Sequence, residues 1–215
     1  MKRQDIPQES DTESGSEEKG KSEMTRRSFS SEVVHLWLKR SSFLVALLLF
    51  QSLSGVIMKK FEGLLASHVE ITLFLTMLVG AGGNTSNQSS VQVITGLATG
   101  KIKLTMTSFR NLFRKELSAG LLSALTLAAV GGIRVWISYG LSPEDKGSLA
   151  TAALVLIISG SLFTIALVST ALGVLLPLTL AWLHFDPELA GPALQVMCDI
   201  VGVLVTCIVA QAVLA

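Results

Sequence analysis

The chain has 215 residues, of which 50% are hydrophobic and only 15% charged, with a formal net charge of +1. Soluble domains carry roughly 25% charged residues spread over their exposed faces, so this composition excludes an ordinary soluble globule. The small net charge averages an acidic N-terminal segment with a basic internal loop and identifies no partner by itself; no nucleic-acid partner is expected.

The first 24 residues place Asp5, Glu9, Asp11, Glu13, Glu17, Glu18 and Glu23 among serines and glycines. The segment is too acidic for a transit peptide and lacks the apolar run of a signal peptide. It is also too polar to bury a core. Residues 1–39 are therefore read as a disordered, acidic, Ser-rich cytoplasmic tail with a juxtamembrane segment, and residues 40–215 as a membrane domain.

Five apolar stretches follow, each judged against the roughly 20 residues that a bilayer crossing needs. They cover 42–58, 69–97, 117–139, a stretch beginning near Leu149, and 189–214. The second turns polar in its latter half. The fourth continues past Leu172 to His184, too long for one straight crossing. Pro177 is expected to kink or divide it, leaving the second part at the cytoplasmic face. The expected fold class is all-α, a polytopic membrane protein with five transmembrane helices.

Basic residues orient it. Arg26, Arg27, Lys39 and Arg40 precede the first span, and Lys101, Lys103, Arg110, Arg114 and Lys115 lie between the second and third. With five spans these groups share a side, which the positive-inside rule assigns to the cytoplasm. Lys59, Lys60 and Arg134 count against this but are outnumbered. The N-terminus is thus expected in the cytoplasm and the C-terminus on the opposite side, with the loop 142–146 outside. The 101–115 run reads as a topology determinant or a lipid-headgroup contact. Cys198 and Cys207 lie in one apolar run on different helix faces and read as small packed hydrophobes.

Polar residues at membrane depth point to function. The second span contains Gly80-Ala81-Gly82-Gly83-Asn84-Thr85-Ser86-Asn87-Gln88-Ser89-Ser90. Hydrocarbon offers no water to these amides and hydroxyls, so they need protein or a water-filled cavity beside them. The glycines alone fit a small-residue packing motif, but packing does not require amides. Asp199 lies in the fifth span, about 18 Å inward from Pro187, and Gly80 lies about 18 Å inward from His68, both near the midplane. An ionised carboxylate there costs at least about 2.5 kcal/mol. It serves either as a functional group facing water or as a structural carboxylate bonded to a neighbour. Gln195 shares its helix face. Arg134 sits too near the outer end of its span to pair with it. His184 and Asp186 fall in an interfacial loop, where solvated polar residues are ordinary and Asp186-Pro187 suits a helix start.

These residues resemble a known family. The 80–90 stretch, followed by Gly96-Leu-Ala-Thr-Gly-Lys-Ile102, is similar to the second transmembrane helix of the MgtE magnesium channels, with its GxGGNxxxQS pattern and GLALGEI-like tail. Pro177, Asp186-Pro187, Gly191-Pro192 and Asp199 match the family's closing pattern. The resemblance covers residues 40–215, the five-helix pore domain. It implies a homodimer with a pore on its two-fold axis and Mg2+ held at mid-membrane by Asp199. Positions Gly80, Gly83 and Asn87 would line the same path. Bacterial members carry an acidic helical domain and paired CBS domains before the pore. With about forty residues ahead of the first span here, the regulation those domains supply is expected to be absent. Relatives in the solute-carrier branch fuse two pore repeats where this sequence has one. Lys101 stands where many members have Glu, with no evident pore role.

The chemistry of the residues agrees with a hydrated divalent cation, Mg2+ or a similar ion. Mg2+ dehydrates reluctantly and keeps several waters, so it can be held through outer-shell contacts to Asp199, Asn87, Gln195 and the backbone oxygens beside Gly80 and Gly83. These are hard ligands, and no His or Cys cluster points to a softer metal. One Asp per chain gives two in a two-fold dimer, matching a divalent ion. A cation-coupled Mg2+ exchanger is the alternative. An intramembrane lipid-modifying enzyme is weaker, because no nucleophile is partnered with a base.

Overall fold

A computed structural model describes the backbone of residues 10–141 and 150–215 and the side chains of 31–141 and 150–215. The 142–146 loop, whose placement outside rests on sequence, lies outside the described residues. By internal contacts the chain forms two units, Met1–Ala46 and Leu47–Ala215.

The described part of the first unit belongs to helix α1 (Ser10–Lys60). Where the sequence reads as disordered, the backbone is helical from Ser10 onward. Two properties of the segment favour this. It contains several Glu, Lys and Arg, which are good helix formers, and no proline interrupts Ser10–Lys60.

The second unit contains the end of α1, then α2 (Glu62–Ser67), α3 (Val69–Ala98), α4 (Met106–Gly140), α5 (Thr151–Trp182), a 3-10 turn (Pro187–Leu189) and α6 (Ala190–Leu214). The described residues form helices and no strand. Helix α5 is the hub: it packs on α3, α4 and α6, and α3 also packs on α6. Apolar side chains gain nothing by leaving lipid for one another, so close approach of backbones at small residues supplies the cohesion. Gly131 of α4 seats Leu162, Gly120 of α4 seats Thr170, and Gly173 of α5 lies against the Ser86 carbonyl oxygen of α3. A main cluster including Ile71, Leu78, Ile157, Ile158, Leu162 and Ile165 fills one half of the bundle. Val93, Val174 and Leu178, flanked by Ile102, Phe109 and Phe113, fill the other.

Four helices combine the length and composition of a span: Ser31–Lys60, Met106–Gly140, Thr151–Trp182 and Pro187–Leu214. The second of the five expected spans, α3, has 30 residues, about 45 Å of helix. It falls short in composition because its latter half is polar, and α5 and α6 bury much of that half. The fourth stretch departs from expectation differently. Pro177 neither ends nor divides α5, which is a single 32-residue helix. A proline there removes the bond to the Gly173 carbonyl, and membrane helices absorb that loss where neighbouring helices cover the gap.

Helix ends explain several residues singled out by sequence. After α5, Phe185 N–H bonds Leu180 O at 2.8 Å and His184 N–H bonds Ala181 O at 3.2 Å. His184 takes φ 61°. This is the Schellman closure, with a histidine where glycine is usual. Asp186 then accepts the Glu188 N–H at 2.9 Å and caps the turn into α6. Gly100, at φ 69°, closes α3 in the same left-handed conformation. Ile102 folds back over Gly96, its own N–H on Gly96 O at 2.9 Å. The Gly96–Ile102 motif is therefore a helix stop.

Candidate functional site

The polar stretch of α3 divides between two faces. On one, Gly82, Gly83, Thr85, Ser86, Ser89 and Ser90 are buried. Here Gly82 faces Ile165 and Ser169 of α5 and Cys198 of α6. Ser86 Oγ returns its proton to Gly83 O at 2.9 Å, and Thr85 Oγ1 does the same to Ala81 O at 2.8 Å, so these hydroxyls are satisfied within the helix. On the other face Asn84, Asn87 and Gln88 are exposed. Small residues and hydroxyls thus pack on one face, while the three amides stand exposed on the other.

Asp199 stands half-buried on α6, nine residues past Ala190, about 14 Å along the helix. Gln195 Nε2, one turn earlier, donates to Asp199 Oδ1 at 2.9 Å. Gln51 Nε2, from α1, donates to Asp199 Oδ2 at 2.6 Å. Each carboxylate oxygen thus holds one neutral amide donor. Gly83 makes room for this arrangement: a Cβ added there would collide with the Gln195 amide. Glycine lets the α3 backbone and the α6 amide share one place, next to the only midspan carboxylate among the described residues of α6.

Of the sequence-predicted residues, the structure brings Gly83, Gln195 and Asp199 together. Asn87 is exposed, one turn beyond Gly83 at the border of the two faces of α3. Gly80 has no atom within 4 Å of an added Cβ. With Thr76, Asn84 and Gln88 it lines an open groove of about 790 Å³ whose opposite wall is Leu122, Ser123 and Thr126 of α4. Arg134 bonds Ser138 on its own helix. Asp199 has no cationic partner among the described residues; its partners are amides. His184 and Asp186 are occupied in ending and starting helices. Cys198 is buried, its thiol on Ser169 Oγ at 3.4 Å, and Cys207 is buried as well. The residue that sequence reasoning missed is Gln51. Its one signal was an amide in an otherwise apolar run, nine residues from Lys60.

No group of three or more His, Cys, Asp or Glu converges among the described residues. The site is a single carboxylate held by two amides beside a glycine of α3. The carboxylate and both amides stand on α1 and α6, which are long and apolar enough for a bilayer. A set like this suits an ion that keeps its water and is poorly suited to a stripped, tightly ligated metal. Fold and composition together define a multi-pass, all-α integral membrane protein.

Residues 75–209 match the family model MgtE, described as divalent cation transporter. The chain is 33% identical over 181 residues, 83% of its length, to the magnesium transporter MgtE of Thermus thermophilus, covering 37% of that protein. It is 30% identical over 171 residues, 78% of its length, to the magnesium transporter MgtE of Bacillus subtilis, covering 35% of it. The Enterococcus faecalis magnesium transporter MgtE is 25% identical over 168 residues. The chain belongs to the MgtE family. It spans little more than a third of the length of these relatives.

Proposed function

We propose that this chain carries Mg2+ across a membrane through a pore at the axis of a homodimer, with hydrated Mg2+ passing Asp199. The observation that carries the reading is the Asp199 carboxylate at mid-helix, its oxygens on two amides beside Gly83. A half-buried carboxylate with no cationic partner among the described residues needs a reason to persist in a membrane, and a passing cation provides one. The names of the relatives, magnesium transporters, support Mg2+ as the ion. Other divalent cations of similar hydration remain candidate cargo, and membrane lipid covers the outer apolar faces.

The homodimer follows from two features. One carboxylate per chain gives a divalent site two charges only when two chains meet. The exposed amides Asn84, Asn87 and Gln88 also need water or a partner at membrane depth. In this reading Gly80, Gly83, Asn87 and Gln195 border the path, and the basic residues between α3 and α4 place the N-terminal segment in the cytoplasm and the C-terminal end opposite.

Mg2+ flux into proteoliposomes, with and without a gradient of Na+ or H+, tests the reading. Downhill flux independent of the second ion, abolished or strongly reduced by Asp199→Asn, is the expected result. Strict dependence on the second gradient would make the protein an exchanger, and normal flux in Asp199→Asn would remove the site.

A further inference from the structure

We propose that Gln51 is a positioning residue for the Asp199 carboxylate, holding it by a donor that competes with the cation and so keeps ion binding weak enough for release. The inference rests on the transport reading above and extends it to a residue on a different helix.

The geometry is specific. Gln51 Nε2 lies 2.6 Å from Asp199 Oδ2, while Gln195 Nε2 lies 2.9 Å from Oδ1. The Gln195 bond is an i, i+4 contact within α6 and forms wherever that helix forms. The Gln51 bond spans 148 positions of sequence and depends on where the 47–60 part of α1 stands. That part contributes no buried residue to the bundle. Ile57 and Met58 pack at the margin of the core, and Gln51 supplies its polar contact with α6. An amide in an apolar membrane helix is costly unless bonded, so the carboxylate and the amide each satisfy the other.

The electrostatic consequence concerns field strength. Donors on both oxygens draw on the carboxylate's lone pairs and spread its charge. A free carboxylate pair at the two-fold axis would hold a divalent ion tightly, and a pore must bind weakly enough to let its ion leave. A hydrogen bond to a charged group is among the stronger ones in proteins. An ion reaching Asp199 must displace the Gln51 amide or share the carboxylate with it. Removing the donor without removing bulk should therefore tighten binding and slow release.

Gln51→Met tests this, because Met keeps the length of the side chain and lacks the N–H. Mg2+ is titrated against the full-length protein in nanodiscs, following the Mg2+-dependent rise in thermal stability, and flux is measured in parallel. The expected result is a half-saturating Mg2+ concentration roughly three- to tenfold lower, consistent with the loss of one bond to a charged acceptor, together with a lower maximal flux. Gln51→Leu should act in the same direction. In the Asp199→Asn background the Gln51→Met change should add nothing, whereas a role of Gln51 confined to α1 packing would show equally in both backgrounds. An unchanged or weakened Mg2+ titration in Gln51→Met and Gln51→Leu, with Asp199→Asn still abolishing the Mg2+ response, would overturn the proposal and leave the transport reading standing. If Asp199→Asn leaves titration and flux unchanged, both fall. Should neither Gln51 variant fold, Gln51→Asn decides the matter: its amide is one methylene too short to reach from the same Cβ, and it must shift the titration the same way.

Discussion

At the scale of single residues, Asp199, Gln195 and Gly83 form one unit, and substitutions should rank by charge. Asp199→Asn removes one charge per chain and two per proposed dimer, where bulk water screens poorly. Selectivity for Mg2+ over monovalent ions should fall most in that variant, less in Asn87→Ala or Gln195→Ala, and least in Asp186→Asn. Asp186 only caps the turn before α6, and Asn caps nearly as well. Flux measured across these four variants checks the order; a larger loss in Asp186→Asn than in Asp199→Asn would move the selecting site to the membrane surface. Gly83→Ala tests positioning. The added methyl must push the Gln195 amide off its place, so transport should change while the chain still folds, because the displaced group is the end of a flexible side chain.

At the scale of elements, the contact of α3 with α5 is the least forgiving. A Cβ on Gly173 would press on the Ser86 carbonyl oxygen and approach Ser89 Cβ at 3.0 Å. Backbone cannot rotate away, so Gly173→Ala should separate the helices and cost about 1–3 kcal/mol, read as a lower melting temperature in detergent. The same change at Gly80, where nothing stands within 4 Å, should leave the melting temperature level or raised, as Ala favours helix over Gly by about 1 kcal/mol. The end of α5 offers the opposite lever. His184 holds φ 61° in the left-handed region, which glycine adopts without steric cost. His184→Gly should raise thermal stability modestly while keeping the Phe185 to Leu180 bond.

At the scale of the whole molecule, the proposed second copy covers the exposed amide face of α3. Both native cysteines are buried, so a cysteine introduced at exposed Asn87 reports with little background. Asn87→Cys should form a disulfide-linked dimer under mild oxidation in membranes, seen as doubled mass on a non-reducing gel. A chain that stays monomeric under these conditions, yet conducts Mg2+ when reconstituted at one copy per vesicle, would refute the dimer.

The sequence by itself determined what lies along a single helix. Apolar run lengths marked the spans; the 80–90 motif and Asp199 marked the polar depth; and the four-residue spacing of Gln195 and Asp199 placed both on one face, because 3.6 residues per turn is a local property. Only the tertiary structure decided how helices stand against one another. The partnership of Gln51 with Asp199 crosses 148 positions and depends on the rotation and depth of α1 relative to α6. The split of α3 into a packed serine face and an open amide face depends on which side α5 and α6 occupy. Pro177 reads as a break in isolation, yet α5 runs through it because neighbouring helices cover the lost bond. Periodicity records which residues share a face, but the partner of that face is chosen by packing between segments far apart in sequence, at small residues whose fit appears only once both surfaces exist.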